Sequence, residues 1–156
     1  MMDVRTKAVN YINAKPRTRQ QVIKYLKEKG FGEPEIMEAV VELEEYHYID
    51  DAEYCRLYFE YGFEKGRGIG RIKRELAEKG VASDVIEIAY DELQELNEVP
   101  DQLEAALEIG RQVVRGIDIE ELDYDARRKL QARVGRRIVS RGYSTEIAYK
   151  VMNMLV

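Results

Sequence analysis

Leu76-Ala77-Glu78-Lys79-Gly80-Val81 closes one amphipathic run, and a second follows through Ile86 to Leu93. The same spacing occurs at Leu26, Gly30, Phe31, Ile36 and Leu43, and again at Ile138, Gly142, Tyr143, Ala148 and Leu155. In each copy the apolar positions fall four before the glycine, and one, six and thirteen after it. A basic residue precedes each glycine (Lys29, Lys79, Arg141), as suits the last turn of a helix. Each copy therefore reads as helix, glycine cap, helix. A unit this short cannot bury its own apolar face and must stack on its neighbours.

Working outward, 156 residues accommodate one ordinary domain or a few small modules. Cys55 is the only cysteine, which fits a reducing compartment and no disulfide framework. No basic-then-apolar segment opens the chain and no long apolar run follows, so the expected location is cytoplasmic, with no membrane contact.

The net charge of −5 hides a strong segregation. From Arg5 to Lys29 eight bases accompany one acid, while Gly30 to Cys55 holds nine acids and no Lys or Arg. Six bases face three acids from Glu64 to Lys79; nine acids and no base occupy Ser83 to Glu108; seven bases and no acid occupy Arg127 to Arg141. Two readings stand side by side. Oppositely charged helices pack and dissolve well, or repeated basic helices line a surface that meets an anionic partner.

Nine helices in three triplets are expected, with essentially no sheet because two-residue alternation is absent. The fold class is all-α: three tandem three-helix repeats stacked into an elongated, curved molecule, with repeats at 1–48, 49–96 and 97–156, the last after a short linker, Asn97 to Asp101. Thr18 with Gln21 forms a capping box for the second helix, and Pro34 suits a first helical turn. Ile36, Val40 and Leu43, helped by Met37, Ala39 and Val41, supply the third helix's buried stripe. Asp50-Asp51 opens the second triplet, and Tyr54, Leu57, Tyr58 and Tyr61 recur at helical spacing. The tyrosines Tyr46, Tyr48, Tyr54, Tyr58 and Tyr61 crowd one region and are read as a partly buried seam between repeats, in preference to a platform for stacking single-stranded bases. Ile69, Ile72 and Leu76 place Arg71 and Arg74 off the apolar stripe. Ala126, Leu130, Val134 and Ile138 place Lys129, Arg133 and Arg136 to one side, with Arg137 close to the stripe, where it needs an acidic partner or extends its stem over the core.

No catalytic constellation emerges, so the chain is read as a non-enzyme. His47 and Cys55 lack an orienting third group. Metal-ligand spacings are absent, and no cofactor, metal or small-molecule substrate is expected. The Asp50, Asp51 and Glu53 cluster is read as helix capping. Gly66-Arg67-Gly68-Ile69-Gly70 follows a helix rather than a strand and lacks the Lys-Ser/Thr of a phosphate loop.

Tyr48-Ile49-Asp50-Asp51, Tyr54-Cys55, Lys65-Gly66-Arg67-Gly68-Ile69-Gly70-Arg71-Ile72 and Glu75-Leu76-Ala77-Glu78-Lys79-Gly80-Val81 together resemble the RecX family. Arg17-Thr18, Val22, Leu26 and Lys29-Gly30 resemble that family's first repeat; Ile138, Arg141-Gly142-Tyr143 and Ile147 resemble its last. The chain departs from the family pattern at Gly62, where an arginine is usual, and at Cys55, where a smaller residue such as alanine is usual. Asn97 to Tyr124 matches poorly. The resemblance implies three three-helix repeats and regulation, generally inhibition, of the recombinase RecA. It also implies seating in the groove of the RecA–DNA filament, with interference in ATP hydrolysis, strand exchange and repressor cleavage.

On this reading the partner is the RecA filament, and Lys65, Arg67, Arg71 and Arg74 of the central repeat with Lys129, Arg133 and Arg136 of the last make electrostatic contact. Single-stranded DNA is the alternative partner, bound non-specifically. Sequence-specific recognition fits less well, because the acidic third helices would repel phosphate.

Overall fold

A computed structural model describes residues 2–156. Among the described residues there are nine α-helices, a short 3₁₀ turn at Ile119–Glu121 and no strand. They are α1 (Val4–Ala14), α2 (Arg19–Glu28), α3 (Glu33–Glu45), α4 (Asp51–Glu64), α5 (Ile69–Glu78), α6 (Ser83–Glu95), α7 (Gln102–Val114), α8 (Tyr124–Ser140) and α9 (Thr145–Leu155). No helix is long and apolar enough to cross a membrane.

The spacing that defines the repeat is a helix-ending motif made three times. Gly30, Gly80 and Gly142 have φ of +91°, +89° and +99°. After each, the chain reverses and the next residue's N–H reaches the carbonyl five positions back: Phe31 to Leu26, Val81 to Leu76 and Tyr143 to Ile138. The glycine N–H itself bonds to Lys27, Ala77 or Val139. This pair of bonds, with an apolar contact between the residues it joins, is how a helix satisfies its last carbonyls through a left-handed residue. The four-before and one-after positions are therefore the two ends of one hydrogen bond.

Local caps start the helices. The Asp3 carboxylate accepts from Thr6 N, Asp101 from Glu104 N, Asp123 from Ala126 N and the Ser144 hydroxyl from Ile147 N. Thr18 and Gln21 form the reciprocal capping box on α2. Asp50 accepts from Glu53 N at the start of α4. Its neighbour Asp51 serves a different helix, accepting from Arg19 N at 2.9 Å at the start of α2.

The chain divides into two compact units, Met1–Tyr58 with Arg74–Leu93, and Phe59–Lys73 with Gln94–Val156, so the division runs through α4 and α5. In the first unit Ala8, Val22, Ile23, Leu26, Ile36, Val40, Leu43 and Ile49 form a continuous buried cluster. Tyr11 stacks on Tyr25 at 3.9 Å between ring centres, and the Arg17 guanidinium covers Tyr11. In the second unit Ala106, Leu107, Ile109, Val134, Ile138, Tyr143, Ala148 and Val151 do the same for α7, α8 and α9.

Each unit contains the same joint, built from different atoms. In the first, the turn after α5 seats on the start of α2. The wholly buried Thr18 hydroxyl donates to the Lys79 carbonyl at 2.7 Å, and a Cβ on Gly80 would stand 2.5 Å from Gln20 Cβ. In the second, the turn after α8 seats on the start of α5. The Gly68 N–H donates to the Arg141 carbonyl at 2.7 Å, and a Cβ on Gly142 would stand 2.2 Å from Arg71 Cβ. Tyr143 Oη adds a bond to the Gly66 carbonyl at 3.1 Å. Thr18 and Gly68 both lie twelve residues before their repeat's glycine.

Several expectations shift. Val41 is exposed rather than part of the α3 stripe. On α4 the buried line is Cys55, Phe59 and Gly62, while Leu57 and Tyr61 lie outside at 42% and 45% exposure. Tyr46 and Tyr48 are exposed as well, while Tyr54 and Tyr58 are half-buried and stack on one another, so the seam is narrower than the tyrosine cluster suggests. The stripe of Tyr54, Tyr58 and Tyr61 and the true core stripe sit one residue apart on a helix, only 100° of rotation. Gly62 lies against Ile72, whose Cδ1 would be 2.6 Å from an added Cβ, so the arginine expected at this position has no room without displacing that side chain.

Candidate functional site

The glycine run between α4 and α5 is a packing element. A Cβ on Gly68 would lie 2.4 Å from the backbone carbon of Gly142, and Gly68 spends its N–H on Arg141. That donor is the kind a phosphate cradle leaves free.

The basic residues singled out above sort into three settings. Lys65 and Arg67 gather on the exposed ring of Tyr61, with Lys65 Nζ at 5.7 Å and Arg67 Cζ at 5.2 Å from its centre. Such contacts hold the cations at the surface at little cost in solvation. Arg71 is half-buried because its backbone and Cβ face Gly142 in the joint, so it supports structure whatever else it touches. Arg74, three residues along α5, is exposed.

On α8 the exposed Lys129 and Arg133 are four residues apart and share a face, with Arg136 next along it. Arg133 and Arg136 come together in a cleft of about 520 Å³ between α7 and α8. Arg137, Ile109, Gln112, Val113 and Ser140 complete the lining. The Arg133 guanidinium donates to the Val113 carbonyl at 3.3 Å, using a carbonyl near the end of α7 as its anchor. Arg137 is exposed and needs no buried acidic partner; it joins the other two arginines. The sequence signal was available: Arg133 and Arg137 are one helical turn apart, but Arg137 also adjoins Ile138 of the core stripe. Three guanidiniums around one cleft can bind carboxylate or phosphate through paired N–H donors.

No group of His, Cys, Asp or Glu among the described residues could hold a metal ion. His47 is exposed at a left-handed turn with φ of +61°. Cys55 is buried, and burial pushes its thiol up to about 12, leaving it protonated and unreactive at neutral pH. Burial is also the main reason that the Asp51 carboxyl is raised above its ordinary range, partly offset by the hydrogen bond from Arg19 N.

Comparison with known proteins places this architecture. The model of the RecX first three-helix domain matches residues 5–43, and that of the RecX second three-helix domain matches 50–89. A regulatory protein RecX from Lactobacillus delbrueckii subsp. bulgaricus is 31% identical over 150 residues, which is 96% of this chain and 52% of that protein. One from Clostridium botulinum is 30% identical over 148 residues, 95% of this chain and 66% of that protein. The chain thus spans about half the length of several curated relatives it matches. In fold, it is similar to the crystal structure of RecX from Lactobacillus salivarius, with a TM-score of 0.79 at 21% identity over 97% of this chain and 94% of that one. A second RecX crystal structure gives 0.73 at 20% identity, covering 96% of this chain and 72% of that one. With both three-helix domain types present in order and the likeness running nearly end to end, the chain belongs to the RecX family.

Proposed function

We propose that this chain regulates RecA by docking on the RecA–DNA filament, and that it inhibits ATP hydrolysis, strand exchange and coprotease action without catalysing a reaction itself. The observation that carries this reading is family membership joined to cationic surfaces without a catalytic set: Lys65 and Arg67 on Tyr61, and Lys129, Arg133 and Arg136 along α8. Arg71 and Arg74 of α5 are further contact residues on this reading. A shallow basic surface suits electrostatic docking on a large partner better than capture of a small molecule. On this reading the protein works in the cytoplasm as three repeats, 1–48, 49–96 and 97–156.

The test is RecA's single-stranded-DNA-dependent ATP hydrolysis, measured with this protein well below one copy per RecA. The expected result is suppression, reduced at least tenfold in potency by Lys129→Glu with Arg133→Glu and Arg136→Glu. No suppression by the folded protein overturns the proposal. The exposed Tyr61 with its two cations also favours a second reading, stacking on single-stranded bases. Binding to bare oligo(dT) that falls steeply with salt, without any effect on RecA, would select that reading.

A further inference from the structure

The outer face of α8 and α9 lacks the carboxylates that the matching positions of the other repeats carry. Ala132, Gly135 and Val139 from α8 and Ala148, Tyr149 and Met152 from α9 line an open groove of about 620 Å³. Val139 is 43% exposed and Tyr149 64% exposed. The floor is low because α8 and α9 approach closely at Gly135, where an added Cβ would stand 2.6 Å from Met152 Sδ.

Aligning the repeats on their glycines shows what has changed. Three residues before the glycine stand Lys27, Ala77 and Val139; two before it, Glu28, Glu78 and Ser140; seven after it, Met37, Glu87 and Tyr149. Three after it stand Glu33, Ser83 and Thr145. At these positions the third repeat has lost every carboxylate that its counterparts carry. It keeps the cation six before the glycine, where Lys24, Arg74 and Arg136 align. Arg136 lines the groove, and the exposed Arg128 and Lys129 lie further back on α8. Glu146, at the start of α9, pairs with Lys150 at 3.4 Å. The face is thus apolar in its floor and positive at its α8 edge.

We infer that this groove takes an amphipathic helix of a partner protein whose polar face is acidic. Two antiparallel neighbours offering small residues between larger apolar ones form a trough for side chains one helical turn apart. A basic rim selects carboxylates flanking those anchors. The groove shares Arg136 and Lys129 with the surface proposed for filament docking, but its occupant is tested without RecA or DNA.

The test uses a fluorescein-labelled, end-blocked sixteen-residue peptide with leucine at positions i, i+3, i+4 and i+7 and glutamate on its remaining face, titrated with the full chain by anisotropy. A second peptide carries lysine for each glutamate. The glutamate peptide is expected to bind at least tenfold more tightly than the lysine peptide. Its affinity should drop at least tenfold in Val139→Glu with Tyr149→Glu, and fall in Arg136→Glu while circular dichroism is unchanged. Because both replaced apolar residues are exposed, the variants should remain folded; Val139→Ser is the milder control and should give an intermediate loss. Equal binding of the two peptides, no binding, or binding indifferent to all three variants overturns the inference. So does self-association that Val139→Glu with Tyr149→Glu abolishes and the peptide fails to compete, which would make a second copy the occupant.

Discussion

Thr18 and Gly68 perform one task with different atoms. Thr18 is buried and uses its hydroxyl twice, accepting from Gln21 N at 3.2 Å and donating to the Lys79 carbonyl at 2.7 Å. Thr18→Val keeps the shape and loses both bonds, one of them the Lys79 carbonyl's bond to the buried hydroxyl, so a loss of about 2–3 kcal/mol is expected in urea unfolding. Gly68→Ala keeps the N–H donor but forces its backbone away from Gly142, which stretches the bond to Arg141, for about 1–3 kcal/mol. Asp51 offers a charge test. Its carboxyl is raised, so the stability it contributes is present below its ordinary value of 3.8 and is lost as pH rises through its higher folded value. Asp51→Asn retains an oxygen acceptor for Arg19 N and removes the buried charge. The variant should therefore gain on the parent between acidic and neutral pH, read by urea unfolding at both. Asp51→Ala should lose stability throughout. Cys55 should resist a thiol reagent at neutral pH until urea unfolds the chain, because its thiol is held up to about 12 by burial.

At the level of elements, helix starts and ends were the most legible features. Capping boxes, N-cap acids and the left-handed glycines are local chemistry, and a local sequence states them in full. The apolar stripes of α2, α5 and α8 were equally plain, because Val22 and Leu26, Ile72 and Leu76, and Val134 and Ile138 are all buried. The α4 face was misread by one residue, since Tyr54, Tyr58 and Tyr61 compete as a stripe with Cys55, Phe59 and Gly62. A glycine carries no hydropathy signal, and its closeness to Ile72 is visible only in three dimensions. The basic site was partly legible: helical spacing put Lys129, Arg133 and Arg136 on one side. It gave no means of knowing that Arg71 would be half-buried in a joint. Accordingly Arg74→Glu should leave urea stability within about 0.5 kcal/mol, whereas Arg71→Glu should lower it. The glycine register also shows that α8 has Leu130 where α2 and α5 have Thr18 and Gly68, because α8 extends seven residues further toward its start. Its start therefore lies well away from the position at which the other two receive a turn.

At the scale of the molecule, charge segregates by helix and contacts segregate by unit, and the two divisions do not coincide. Each unit should answer to its own joint. Thr18→Val is expected to speed amide hydrogen exchange in α2 and α6 more than in α8 and α9, and Gly68→Ala the reverse, by native-state exchange with mass spectrometry. Equal acceleration in both would show that the chain opens as one cooperative body. The two joints also differ in how they would fare under mutational drift. The Gly68 N–H belongs to the main chain and survives every replacement except proline, but the gap around it admits no side chain. The Thr18 site has room for a side chain, yet its bond exists only while a hydroxyl is there. Over generations, position 18 should wander between threonine and serine, and position 68 should not wander at all.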